Sequence, residues 1–177
     1  MNESVFIVGG CRSGKSTIAL DLADGLRSTE KIFIATCQPL DEEMEDRVAR
    51  HQADRGPEWK TVEEPLALPM VVEEMARPGK VILVDCLTLW ISNLVLADHS
   101  RDQIEEHATN LARIIQNSPC PVILVSNEVG AGIVPENALA RQFRDAAGKV
   151  NQITAKACGQ VLWVVAGIPV SIKGKTI

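Results

Sequence analysis

The 177-residue sequence contains no tyrosine and only three phenylalanines and three tryptophans. Proteins that track single-stranded nucleic acid stack bases on aromatic side chains along a basic channel, so this scarcity argues against a nucleic-acid motor. The charge balance agrees, since 18 Lys and Arg against 23 Asp and Glu give a net charge of −5 and no broad footprint for a polyanion. We therefore expect no nucleic-acid partner and only local anion sites. No run reaches the ~18 apolar residues of a membrane helix, and no basic stretch near the N-terminus leads into a signal-like apolar core. A cytoplasmic protein without a membrane span is the expectation. The five cysteines, Cys11, Cys37, Cys86, Cys120 and Cys158, stand singly, without the close pairs of zinc sites or redox dithiols, and read as free thiols. Linkers, internal repeats and low-complexity segments are absent too, so residues 1–177 are expected to form a single domain.

Against these absences, Gly9-Gly10-Cys11-Arg12-Ser13-Gly14-Lys15-Ser16 satisfies the pattern G-x-x-x-x-G-K-[ST] at every required position. A short apolar run, Ser4 to Val8, precedes it, and Thr17 to Ala23 follow with helical spacing. In a strand–loop–helix of this kind, successive backbone N–H groups and the helix N-terminus converge on phosphates. Lys15 adds a positive charge, and the Ser16 hydroxyl is a ligand for Mg²⁺. Cys11 lies inside the loop, where a helix N-terminus can stabilise a thiolate, or it is simply a small residue filling a tight turn. On the first reading, its alkylation blocks nucleotide binding.

Nearly continuous apolar runs at Lys31 to Thr36, Lys80 to Asp85, Val122 to Ser126 and Val161 to Val165 read as strands covered on both faces. Trp59 to Val62 is a further short strand and Val170 to Ile172 an edge strand. Helical segments fall at Asp41 to Arg55, Leu66 to Met75, Leu87 to Leu96, Asp102 to Gln116 and Asn137 to Ala157, and Asp98-His99-Ser100 reads as a loop tip. This alternation predicts an α/β fold with a mainly parallel β-sheet flanked by helices, of the P-loop nucleoside triphosphate hydrolase type.

Parallel sheets bind ligands beyond the carboxyl ends of their strands, which selects Thr36, Asp85, Asn127 and Glu128 for the rim that carries the phosphate loop. Asp85 ends an apolar strand and is placed to orient Mg²⁺ opposite Ser16; the alternative is a cap for the helix that follows. Met44, Val48, His51 and Arg55 share one helix face. A lone histidine on such a face is more often packed or solvated than catalytic. Here Arg47, Arg50 and Arg55 surround it with positive charge suited to phosphate chemistry, although Arg47 and Arg50 also fit ordinary i,i+4 pairs.

The stretches GGCRSGKS, IATCQPLDEEMEDRVARHQADR, LVDCLTLWISNL and VSNEVGAGIVPENALARQFRDAAGKVNQ, in this order, resemble the bifunctional adenosylcobinamide kinase/adenosylcobinamide-phosphate guanylyltransferase family of cobalamin biosynthesis. The resemblance covers almost the whole chain. It implies that ATP or GTP phosphorylates the aminopropanol hydroxyl of adenosylcobinamide, and that GTP then guanylylates the resulting phosphate, giving adenosylcobinamide-GDP and pyrophosphate. It further implies that His51 is the guanylylated residue, that Lys15 serves catalysis, and that Thr36, Arg55, Glu63 and Asp85 join the loop residues in binding nucleotide. A homotrimer with nucleotide near subunit boundaries is implied as well. Two positions depart from some relatives: Gln52-Ala53-Asp54-Arg55 replaces a Lys-Asp-Gly-Arg sequence, and Asp85 replaces Glu, which keeps the charge but shortens the reach. Arg141, Arg144, Asp145 and Asn151 are candidates for holding the corrinoid or a neighbouring subunit, or form a solvated helix face. Two other readings stay open: a P-loop small-molecule kinase in which His51 is structural, and a non-catalytic GTP-binding switch.

Overall fold

The computed structural model describes residues 3–38 and 56–174. Its strands are β1 (Val5–Gly9), β2 (Glu30–Ala35), β3 (Trp59–Glu63), β4 (Lys80–Asp85), β5 (Val122–Asn127), β6 (Gln160–Val165) and β7 (Ile168–Lys173). Among the described residues the helices are α1 (Lys15–Asp24), α2 (Leu68–Met75), α3 (Leu87–Leu96), α4 (Arg101–Gln116) and α5 (Ala138–Ala157). The expected helix over 41–55, and with it His51 and Arg55, lies outside the described residues.

The strands form one 7-stranded sheet in the order β3-β2-β4-β5-β1-β6-β7. Every pairing is parallel except β6 with β7, which are joined by a tight turn and run antiparallel at one edge. The apolar runs that marked the strands have the physical cause anticipated: both faces are covered. Phe6, Val8, Ile82, Val84, Val122 and Leu124 pack under α2, α3, α4 and α5, while Ile7, Leu83, Ile123, Val125 and Val164 pack against Ala19 and Ala23 of α1. The two sets alternate along each strand, as the period of 2 demands.

Element ends follow local chemistry. Ser100 and Gln103 form a reciprocal capping box at the start of α4, with the Ser100 N–H donating to Gln103 Oε1 at 2.8 Å. Asn137 caps α5 by accepting from the Ala140 N–H at 3.0 Å. At the far end of α5 the Lys173 ammonium, arriving from β7, donates to the carbonyls of Ala155, Lys156 and Cys158 at 2.8, 3.0 and 2.6 Å. A cation placed on the last carbonyls satisfies orphan acceptors and complements the helix dipole. The strongly apolar α3 buries Trp90, Ile91 and Leu94 within its own chain, and the Trp90 indole N–H donates to the Leu66 carbonyl at 2.8 Å.

Candidate active site

β1 runs straight into the Gly-rich loop, which ends where Gly14 caps α1. Gly14 has φ +91°, and a Cβ there would stand 3.2 Å from the Gly167 Cα. Gly9 is tighter, because a Cβ would lie 2.5 Å from the Val164 carbonyl oxygen and 2.8 Å from Ser13 Oγ. Backbone approach fixes glycine at position 9, and the positive φ together with the Gly167 contact fixes it at position 14. The neighbouring contacts come from Val164 of β6 and from the β6–β7 turn, whose Gly167 N–H donates to the Ser13 carbonyl at 2.8 Å. Ala166 and Gly167 both have positive φ, which lets this two-residue turn tuck under the loop. Sequence reasoning did not find this support, since a bare Ala-Gly pair carries no phosphate-binding signal.

Within the loop, Lys15 is 8% exposed and its ammonium donates to the Gly10 carbonyl at 3.0 Å. Ser13 is equally buried, and its hydroxyl has no hydrogen-bond partner among the described residues. Cys11 and Arg12 are exposed on the outer side, Arg12 with φ +54°. Ser16 is half-buried in the first turn of α1.

The strand ends bring the other candidates to the same rim. By alternation Gly9, Asp85, Asn127 and Glu63 all lie on the sheet face that α1 covers. Glu63 and Asp85 flank Ala35 in register on either side, and Glu63 is exposed. The N-cap of α3 is Cys86, whose side chain makes no capping bond, and Asp85 stands one residue before it at the end of β4. Thr36 is completely buried. Its hydroxyl donates to the Cys86 carbonyl at 2.7 Å and accepts from the Cys86 N–H at 3.0 Å. The side chain therefore clamps the strand–helix junction that carries Asp85. Burial, reinforced by the charge of Asp85, pushes the Cys86 thiol up to about 12.

Asn151, a candidate for holding the corrinoid, is instead internal: it is 8% exposed and bonded to Ser126 and to the Asn127 carbonyl. Polar residues interrupting an apolar helix face and an apolar strand were the available signal for this network. Arg141 donates to the carbonyls of Pro135 and Glu136, and Arg144 to that of Gly130. Both thus anchor the loop between β5 and α5, in which Ile133 is 96% exposed.

For Mg²⁺, the oxygen donors at hand are the Ser16 hydroxyl at the start of α1 and the Asp85 carboxylate at the end of β4. Magnesium takes one or two protein oxygens and completes its shell with phosphate and water, so this sparse hard-oxygen set fits. No group of three or more His, Cys, Asp or Glu among the described residues could hold a metal ion, which leaves softer or all-protein sites without support there. No described helix is long and apolar enough to cross a membrane.

A strand, a Gly-rich loop closed by Gly14-Lys15-Ser16 and an acid ending a nearby strand of a mainly parallel sheet define a P-loop nucleotide-binding protein. Solved structures agree on the fold: an ATPase from a type III secretion system of pathogenic bacteria superimposes with a TM-score of 0.62 at 11% identity, over 97% of this chain and 57% of that one. A KaiC-like protein from Pyrococcus horikoshii gives 0.51 at 14% identity, over 92% and 70%. Within that class the chain belongs to the cobinamide kinase/cobinamide phosphate guanyltransferase family, whose model matches residues 5–172. The bifunctional adenosylcobalamin biosynthesis protein CobP of Pseudomonas aeruginosa is 43% identical over 173 residues, covering 97% of this chain and 98% of its own. The corresponding CobU of Escherichia coli K12 is 42% identical over 182 residues, covering 96% and 99%.

Proposed function

We propose that this chain phosphorylates the hydroxyl of adenosylcobinamide with ATP or GTP and then transfers GMP from GTP to the new phosphate, through a guanylylated His51. The observation that carries the reading is the phosphate loop buttressed beside Asp85 in a chain matched to its family from residue 5 to 172. Loop N–H groups, Lys15 and Arg12 offset negative charge on the phosphates, and Thr36 acts through the Asp85 junction it clamps. Ser16 and Asp85 would hold Mg²⁺, which would supply charge neutralisation to the phosphates. Glu63 and Arg55 complete the proposed nucleotide contacts.

In the transfer step a neutral His51 ring nitrogen attacks the α-phosphorus of GTP. A P–N bond forms, the bond to the bridging oxygen breaks, pyrophosphate leaves, and the ring N–H proton goes to solvent. An oxygen of the substrate phosphate then attacks the same phosphorus, the P–N bond breaks, the ring takes back a proton from solvent, and adenosylcobinamide-GDP forms. With an ordinary histidine pKa of about 6.5, the nucleophilic form already predominates at pH 7.

We place the enzyme in the cytoplasm as a homotrimer. Leu96 and Leu139, 59% and 49% exposed beside the groove between α3 and α5, support a subunit contact, and a monomeric mass in solution would refute it.

Incubation with Mg²⁺ and GTP labelled at the α-phosphate, followed by denaturation, tests the covalent step. Acid-labile label is expected on the wild type and absent from His51→Ala. A folded, nucleotide-binding wild type that retains no label would leave a kinase without this intermediate.

A further inference from the structure

Asn127 ends β5 with both main-chain polar groups taken by side chains. Its N–H donates to Thr88 Oγ1 at 2.6 Å, and its carbonyl accepts from Asn151 Nδ2 at 3.1 Å. Those two side chains are joined through Ser126, whose hydroxyl donates to Asn151 Oδ1 at 2.8 Å and lies 3.2 Å from Thr88 Oγ1. Thr88, Ser126 and Asn151 are 6%, 0% and 8% exposed. Polar groups sunk in an apolar layer are tolerated only when fully bonded, and here the bonds converge on the main chain of one residue.

The Asn127 side chain occupies the opposite face. Ser126 bonds into α3 and α5, whereas Val125 belongs to the cluster under α1, and Asn127 shares the side of Val125. There β5 stands between β4, which carries Asp85, and β1, whose Gly9 is the register partner of Asn127. Asp85 is level with Val125, so Asn127 projects further past the rim, toward the start of the phosphate loop. Its Oδ1 is buried and has no hydrogen-bond partner among the described residues. A buried amide oxygen left unbonded is unfavourable unless a ligand or a ligand-held water supplies the donor.

We propose that Asn127 is a positioning residue for the terminal phosphate of a bound nucleoside triphosphate. Its amide nitrogen donates to a γ-phosphate oxygen, and Oδ1 accepts from a water held between that phosphate and Asp85. An amide offers donor and acceptor side by side without a charge that would repel the phosphate. Asn127 therefore separates triphosphates from diphosphates. This rests on the nucleotide-binding part of the proposed function and not on the corrinoid chemistry.

Titration of the full chain with fluorescent N-methylanthraniloyl GTP and GDP in Mg²⁺, with thermal unfolding of each variant, tests the assignment. Asn127→Ala should keep GDP affinity within about twofold of wild type and lose about tenfold or more in GTP affinity, as expected for a bond to a charged acceptor. Asn127→Asp preserves shape and main-chain bonds but faces the phosphate with a carboxylate, so its GTP loss should be larger. A folded variant with the wild-type ratio of GTP to GDP affinity overturns the proposal. So do parallel losses of both nucleotides or unfolding of both variants, which would assign Asn127 to the fold alone. If the wild type shows the discrimination yet modifies no cobinamide, the proposed function falls while the role of Asn127 stands.

Discussion

At the residue scale, the spacing of glycines and Lys15 located the phosphate loop in the sequence, because each required position answers to a local backbone constraint. Thr36 shows the opposite case. It was selected as a strand-end residue, and its place at the rim was legible, but what it touches was not, since its partner Cys86 lies on another strand–helix junction. Its hydroxyl serves the Cys86 N–H and carbonyl together. Thr36→Val keeps the volume and leaves the buried Cys86 N–H unpaired, while the Cys86 carbonyl keeps only the Trp90 N–H; an unmet buried donor is worth about 1–3 kcal/mol. We expect a loss of about 2 kcal/mol or more in urea-monitored stability; an unchanged urea midpoint would show that water replaces the hydroxyl. The nucleophile role proposed for His51 came from the resemblance, because a histidine on a helix face, even one set among arginines, carries no distinctive local signal.

At the scale of elements, the central strands were readable to within a residue because burial on both faces leaves an apolar run, whereas the exposed edge strand β7 begins two residues before the stretch read for it. Helix starts fell within two residues of those read, and the structure adds the N-caps Ser100 and Asn137. Helix ends were read where they fall, at Met75, Leu96, Gln116 and Ala157, but what holds them was not. The cap on α5 comes from Lys173, a residue of the edge strand β7, and no sequence rule links it to Ala155 or Cys158. Lys173→Met retains the aliphatic stem and removes the donors, leaving three carbonyls to solvent or to nothing. The expected loss is about 1–2 kcal/mol in chemical unfolding, with Lys173→Arg recovering part of it. Equal stability of Met and wild-type proteins would mean that water caps the helix as well.

For the whole molecule, alternating strands and helices predicted a mainly parallel sheet, yet strand order was beyond reach, because any apolar strand can neighbour any other until crossovers and helix packing choose. The finished core holds thiols that must stay neutral. Burial raises Cys86 to about 12 and Cys158 to about 11. The unfolded chain, with ordinary thiols near 8.5, gives up these protons first as pH rises. Stability is therefore complete below about pH 8.5 and falls as pH climbs toward the folded-state values, by about 1.4 kcal/mol per thiol for each pH unit in that window. Urea midpoints measured from pH 7 to 10.5 should decline, and more shallowly in Cys86→Ala; identical slopes would exclude Cys86 as a cause. The β6–β7 turn carries a different implication. Because Gly167 supports Ser13 and β1 lies between β5 and β6, residues made early in translation depend on a floor that is made late. A nascent chain displays the nucleotide-binding motif long before it owns a nucleotide-binding site, so ribosome-bound fragments ending before residue 160 should draw no GTP from the cellular pool.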